Sequence, residues 1–224
     1  MPAAARDITS LVSFLAATTG RAAGCTVVEL GTVQVSTGAL IARDPFGPRS
    51  GGCVLAVPNG SYRVWATVVD VSDDGIPEPR QAYLSVAIGD GQPALLGSAD
   101  ELLVPPVPSF GAFTGTDHGL LAVHDAAVED SVLATRTEAV DRGLWAPDIG
   151  PGYANVSLDP ASGANIVVSG SGWGDGGFPV LATYDRDDRP VAVHVDFGVI
   201  GDHPDDQPGL MRKLARRLGF GRRA

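Results

Sequence analysis

Residues 179–197 read PVLATYDRDDRPVAVHVDF, two apolar runs of strand length on either side of an Asp- and Arg-rich turn. In the second run Val191, Val193, Val195 and Phe197 alternate with His194 and Asp196. A repeat of two suits a pleated strand and puts no apolar stripe on a helix. The segment therefore predicts an antiparallel hairpin, which needs further strands to bury its apolar face. Similar β texture recurs at 25–35, 38–43, 81–89, 118–124, 154–158 and 164–169. In CVLAVPNGSYRVWATVVDV (53–71), Asn59-Gly60 is the pair that tolerates two positive φ values, so a second hairpin is expected there. Its second strand is apolar on both faces, the pattern of a strand covered on both sides. The 29 glycines and 17 prolines are scattered without period, as many tight turns between short strands require.

Helical spacing is confined to the margins of this β pattern. Residues 7–19 carry Ile8, Leu11, Val12 and Leu15 on one face. Residues 126–142 predict a longer helix with Asp125 as N-cap, Gly143 as its end, and Val128, Val132 and Ala139 as its stripe. PPVPSFGAF (105–113) reads as an irregular crossing segment, because proline removes ladder donors. The expected fold is α+β and predominantly antiparallel β, sandwich-like or a strongly bent sheet, with a few peripheral helices. Residues 1–208 are expected to form one mostly-β domain. Residues 209–224 are expected to form a basic amphipathic helix or tail, with Leu210, Leu214 and Leu218 opposite Arg212, Lys213, Arg216 and Arg217.

The distribution of charge says more than its sum of −10. Six of the 16 basic residues fall in the last 13 positions, leaving 10 basic against 26 acidic residues, a net −16. Such a body repels nucleic acid and anionic membrane, whereas a basic protein partner suits it. The basic tail is fitted to an acidic surface, and its expected place is against the domain itself. Lys213 is the only lysine, so no P-loop or nucleophilic lysine lies elsewhere. Cys25 and Cys53 lack metal-ligand spacing and read as free buried thiols in a reducing cytoplasm. The apolar LVSFLAA (11–17) follows Asp7 and is far below spanning length, which favours an amphipathic helix over a signal peptide or membrane span. Asn155-Val156-Ser157 matches a glycosylation sequon that matters only in a secreted chain.

Most catalytic signatures are missing: there is no G-x-S-x-G, HExxH or Walker A. The stretch GSGWGDGGFP (170–179) lacks dinucleotide spacing and precedes a strand, so it reads as a glycine-rich bend. Asp70-Val71-Ser72-Asp73-Asp74-Gly75 begins like a calcium loop, but Gln81 occupies its twelfth position and strands flank it, which favours a polar turn. His118 and His124 on one strand would stand about 20 Å apart and cannot share an ion. His194 and Asp196 share a face with backbones about 7 Å apart, which suits either a His–carboxylate dyad or the solvated face of a half-exposed strand.

Several of these segments together resemble a known family. VPNGSYRVWATV (57–68), Asp117-His118-Gly119 with Asp125, SGWGDGGFPV (171–180) and VAVHVDF (191–197) occur in the order of the bacterial domain of unknown function 4241 family. The resemblance spans roughly residues 40–200. The family pattern Asp-x-Gly-Thr-Gly-x-x-x-Asp is matched by Asp117, Gly119 and Asp125, with Leu120 and Leu121 replacing Thr-Gly. The hairpin turn that usually reads Asp-Gly is Asp187-Asp188 here. The resemblance implies the fold and no activity, and it sets Asp117, Asp125, Asp175 and Asp196 on motif positions. If those four converge, a divalent-metal or acid–base site follows; if each caps its own turn, each is a local acceptor.

Two functional expectations follow. One is a non-enzymatic acidic binding domain that neutralises a basic protein partner, with Trp173, Asp117 and Asp125 as candidate binding residues. The other is a metal-dependent or carboxylate/His-based hydrolase-like enzyme, with Asp175, His194 and Asp196 as candidate catalytic residues and Asp117 and Asp125 as ligands or orienters. No cofactor is evident, and a divalent metal is the one that clustered carboxylates would accept. A sugar- or peptide-binding module with Trp173 as stacking platform is a third expectation.

Overall fold

Twelve strands pair into two antiparallel sheets in the computed structural model, which describes residues 11–15, 24–47, 52–72, 75–130, 133–145 and 149–200. In chain order the strands are β1 (Cys25–Val35), β2 (Ala39–Arg43), β3 (Cys53–Ala56), β4 (Gly60–Asp70), β5 (Pro79–Ala87) and β6 (Leu95–Ser98). They continue with β7 (Phe113–Thr116), β8 (Leu120–Asp125), β9 (Tyr153–Asp159), β10 (Ala164–Gly170), β11 (Gly176–Tyr184) and β12 (Pro190–Asp196). The seven-stranded sheet runs β1-β4-β5-β12-β11-β6, with β7 pairing β11 end to end with β6, and the five-stranded sheet runs β3-β2-β8-β10-β9. The α+β, antiparallel-β architecture expected from the sequence is therefore the one observed.

The core lies between the sheets. Val33, Tyr62, Leu84 and Val193 of the larger sheet meet Leu40, Leu55, Leu121 and Val167 of the smaller one in a single buried cluster. The outer face of the larger sheet is also covered. There Trp65, Ala87, Val191 and Ala192 pack with Leu11 and Val12 of α1, the helical residues 11–15. β4 is thus buried on both faces, as its apolar pattern requires.

At one side of the sandwich the outer edge of β1 is joined to the facing sheet. The Asn155 amide of β9 donates to the carbonyls of Leu30 and Thr32, and the Asn165 amide of β10 donates to Thr32. The Asn165 side-chain oxygen in turn accepts the Gln34 amide. The sequon asparagine is thus occupied in bridging two sheets.

The expected hairpin around Asn59-Gly60 does not form. β3 pairs β2 in one sheet, whereas β4 pairs β1 and β5 in the other, so the turn is a corner between sheets. Neither Asn59 nor Gly60 has a positive φ. Pro58 supplies no donor, and its carbonyl accepts the Tyr62 hydroxyl instead of a ladder bond. The hairpin of β11 and β12 does form. Asp185 organises its turn by accepting the amides of Asp187 and Arg189, and Asp188 takes a left-handed φ of 58°.

The helix expected at 126–142 is divided. Ala126–Asp130 is a 3-10 turn and α2 spans Leu133–Leu144. Gly143 is inside α2 rather than beyond its end: a Cβ there would stand 2.5 Å from Val156 Cγ2, so glycine lets the helix lie against β9. The buried residues are Val128 and Val140, while Ala139 is only half-buried. Val132, most of the 7–19 helix and the basic 209–224 segment lie outside the described residues. Among the described residues no helix is long and apolar enough to cross a membrane. Cys53 is buried, as expected, and burial pushes its thiol up to about 12, whereas Cys25 is only half-buried.

Candidate functional site

Three loops meet at one end of the sandwich, and a buried carboxylate holds two of them. Asp44, only 6% exposed, follows β2 and closes an Asx turn, its Oδ1 accepting the amides of Phe46 (2.7 Å) and Gly47 (3.0 Å). Its Oδ2 reaches the turn between β7 and β8, accepting the Thr116 hydroxyl at 2.8 Å and the Asp117 amide at 2.9 Å. The same oxygen lies 2.8 Å from His118 Nδ1. Burial pushes the Asp44 carboxyl up, but the bonds from His118, Phe46, Asp117 and Thr116 outweigh it and hold the group below its ordinary value. The His118 ring is half exposed, and the edge of Phe46 packs against it at 5.5 Å. Its bond to Asp44 raises its proton affinity, helped by the charges of Asp44, Asp117 and Asp175.

The glycine-rich bend before β11 supplies the third loop. The Ser171 amide donates to the Gly119 carbonyl at 3.1 Å, which ties this loop to the His118 turn. Gly172 has φ +71°, and a Cβ there would stand 2.5 Å from the Gln81 carbonyl oxygen, so only glycine fits. A Cβ on Gly119 would stand 3.4 Å from Gly174 Cα and 3.8 Å from Asp175 Oδ1, so the two turns are in contact. Arg80 donates to the Gly172 carbonyl and stacks 5.0 Å over the ring of Trp173, which stays 43% exposed. Asp117, His118, Trp173 and Asp175 are all exposed at this end.

The remaining predicted residues lie elsewhere. Asp125 ends β8, about 17 Å along the strand from Leu120 at ~3.3 Å per residue. It is buried, and it accepts the Ser36 hydroxyl at 2.7 Å, the Thr37 hydroxyl and the Ala127 amide at 3.0 Å. Burial raises this carboxyl, but the bonds from Thr37, Ser36 and Ala127 lower it further. Its role here is that of a turn acceptor.

His194 corrects the expectation of a half-exposed polar face. β12 lies between β5 and β11 with both sheet faces covered, and the ring is 0% exposed. Its Nδ1 meets Ser85 Oγ at 2.9 Å and its Nε2 meets Thr183 Oγ1 at 2.8 Å, while Trp65 and Tyr83 flank it edge-on. Burial pushes the imidazole down to about 3, so the ring is neutral. Both nitrogens are taken by hydroxyls, and no dyad with Asp196 forms. Asp196 accepts the Gly198 amide at 2.9 Å, and burial pushes its carboxyl up to about 6 against that bond.

Of the four motif aspartates, Asp117 and Asp175 lie on two turns that touch each other beside His118, Asp125 lies in a buried turn and Asp196 at the end of β12. Among the described residues no group of three or more His, Cys, Asp or Glu side chains is arranged to hold a metal ion. Asp44, Thr116 and Arg80 complete the loop cluster and escaped the sequence reading. Nothing in the sequence pattern links Asp44 to His118, 74 residues on.

The family model for proteins of unknown function designated DUF4241 matches residues 33–195, more than half of the 224-residue chain. The chain belongs to the DUF4241 family. Asp44, Asp117, His118, Trp173 and Asp175 all fall inside the DUF4241 match, and Asp196 falls one residue beyond it. No curated protein and no solved structure matches the chain.

Proposed function

We propose that this DUF4241 domain is a non-enzymatic interaction module that binds a cationic protein partner at the loop end built by residues 116–119 and 171–175. The observation that supports this reading is how differently the aspartates are used. The carboxylates of Asp44, Asp125, Asp159 and Asp185 are committed to amides and side chains of their own turns. Those of Asp117 and Asp175 are exposed and accept no hydrogen bond from the described residues, and they stand on two turns that touch each other, with exposed Trp173 on the second turn. Two carboxylates left to solvent, on loops where the chain's own Arg80 already stacks on Trp173, match the chemistry of a further arginine side chain, which pairs with carboxylate. The acidic body adds long-range attraction for such a partner.

Octa-arginine is a suitable probe. Its binding, followed by calorimetry at low and raised salt, is expected to weaken about tenfold in the D117N/D175N double variant, with a smaller salt dependence. The melting temperature should not change. Equal affinity of wild type and double variant would overturn the assignment of this surface.

A further inference from the structure

His118 stands inside the cluster that the preceding reading assigns to a cationic partner. We propose that His118 makes this surface pH-responsive: its protonated ring serves as an internal cation that competes with the partner for Asp117 and Asp175. The inference rests on the docking reading and adds its regulation.

The geometry carries the argument. The charged groups facing the ring are Asp44 from the loop after β2, Asp117 from its own turn and Asp175 from the glycine bend. Asp44 lies 2.8 Å from Nδ1, and its carboxylate can only accept, so in the neutral ring the proton is on Nδ1. The Nε2 lone pair is then the site of proton uptake. Asp44 is itself pinned by the Phe46, Gly47 and Asp117 amides and the Thr116 hydroxyl, so the ring is held in place as it titrates. Uptake of one proton adds a positive charge among three carboxylates and supplies an outward N–H donor. A guanidinium arriving at Asp117 and Asp175 then meets a like charge already in place.

The window follows from the direction of the shift. Asp44 raises the proton affinity of His118 above the ordinary imidazole value of 6.5, so the ring changes charge above that pH. Affinity for a cation is full above the folded-state value and falls as pH drops through it. The effect on the fold has the opposite sign. The Asp44–His118 ion pair stabilises below 6.5 and its contribution is lost as pH rises through the raised value. By linkage, a bound cation must lower the proton affinity of His118.

Two measurements with octa-arginine test this. Calorimetry is expected to show binding about fivefold tighter at about pH 8.5 than at about pH 5.5, the size expected of one partly screened charge. NMR titration of the His118 ring should show its midpoint moving to lower pH when octa-arginine is present. In the H118Q variant, which alters an exposed side chain, the ratio of the two affinities should fall well below the wild-type value, to the small remainder that the titration of Asp196 near 6 leaves. Equal wild-type affinity at the two pH values, or a pH dependence undiminished in H118Q, would overturn the inference and leave the docking reading intact. Absence of binding at either pH overturns the docking reading, and this inference with it.

Discussion

His118 and His194 each meet a hydrogen-bonding partner on a distant strand or loop, yet they stand in opposite environments. His194 is enclosed by Trp65 and Tyr83, its two nitrogens satisfied by neutral hydroxyls, and it is neutral because charge cannot be solvated there. His118 is half exposed, paired with an anion and faced by two more, so a proton is welcome. One ring is a packing element with polar ends; the other is a chemically responsive group on a fixed support. The polarity of the residue is the same in both, and only the coverage of its face and the charge of its partner separate them.

The largest expected consequence of this difference is in stability. His194→Ala removes an aromatic neighbour of Trp65 and Tyr83 and orphans two buried hydroxyls, and should cost about 3 kcal/mol in urea unfolding. His118→Ala should cost only about 1 kcal/mol, because the ring is half exposed and Asp44 keeps its other four donors. Comparable losses in the two variants would erase the distinction.

A smaller effect separates the aspartates in the same way. Asp125→Ala unfastens Ser36, Thr37 and Ala127 and should lower stability by about 2 kcal/mol, whereas Asp175→Ala should stay within about 0.5 kcal/mol. Thermal melts of the two variants side by side decide it.

The smallest effect sharpens the buried region itself, because His194 and Asp196 give opposite pH dependences from one strand. His194 titrates near 3 in the fold against an ordinary 6.5, so its contribution is complete above 6.5 and is lost as pH falls toward 3. Asp196 titrates near 6 against an ordinary 3.8, so the fold keeps a proton that the unfolded chain releases, and stability is lost as pH rises from 3.8 through 6. Asp196→Asn retains an acceptor for Gly198 and should stabilise by about 1 kcal/mol at about pH 7.5, after allowance for its partial exposure, and by almost nothing at about pH 4. Urea midpoints that do not differ between those conditions would show that Asp196 is well solvated.

Period-two alternation locates β12 and puts Val193, Val195 and Phe197 on the face between the sheets, where they lie, while Val191 packs in the outer cluster. It is silent on whether the second face is covered, so it leaves His194 open to a dyad or a solvated face and cannot show the ring to be buried. The short strands β6 and β7 lack enough apolar residues to register, with Gly97 and Gly115 inside them and prolines in the connection between them. Asn59-Gly60 is a true local turn signal that tertiary pairing overruled, since β3 and β4 each found a better partner in a different sheet. Asp117, Trp173 and Asp175 were legible as motif residues. The carboxylate that orders their surroundings was not, because only the folded topology brings residue 44 beside residue 118.

The asparagine bridge along β1 has a consequence for how copies of this chain meet one another. A long outer strand ordinarily presents a row of open amides and carbonyls on which another strand can grow. Here the Leu30 and Thr32 carbonyls and the Gln34 amide already have hydrogen-bond partners in side chains of the facing sheet. Along that stretch Asn155 and Asn165 occupy the backbone groups on which another strand would have to pair.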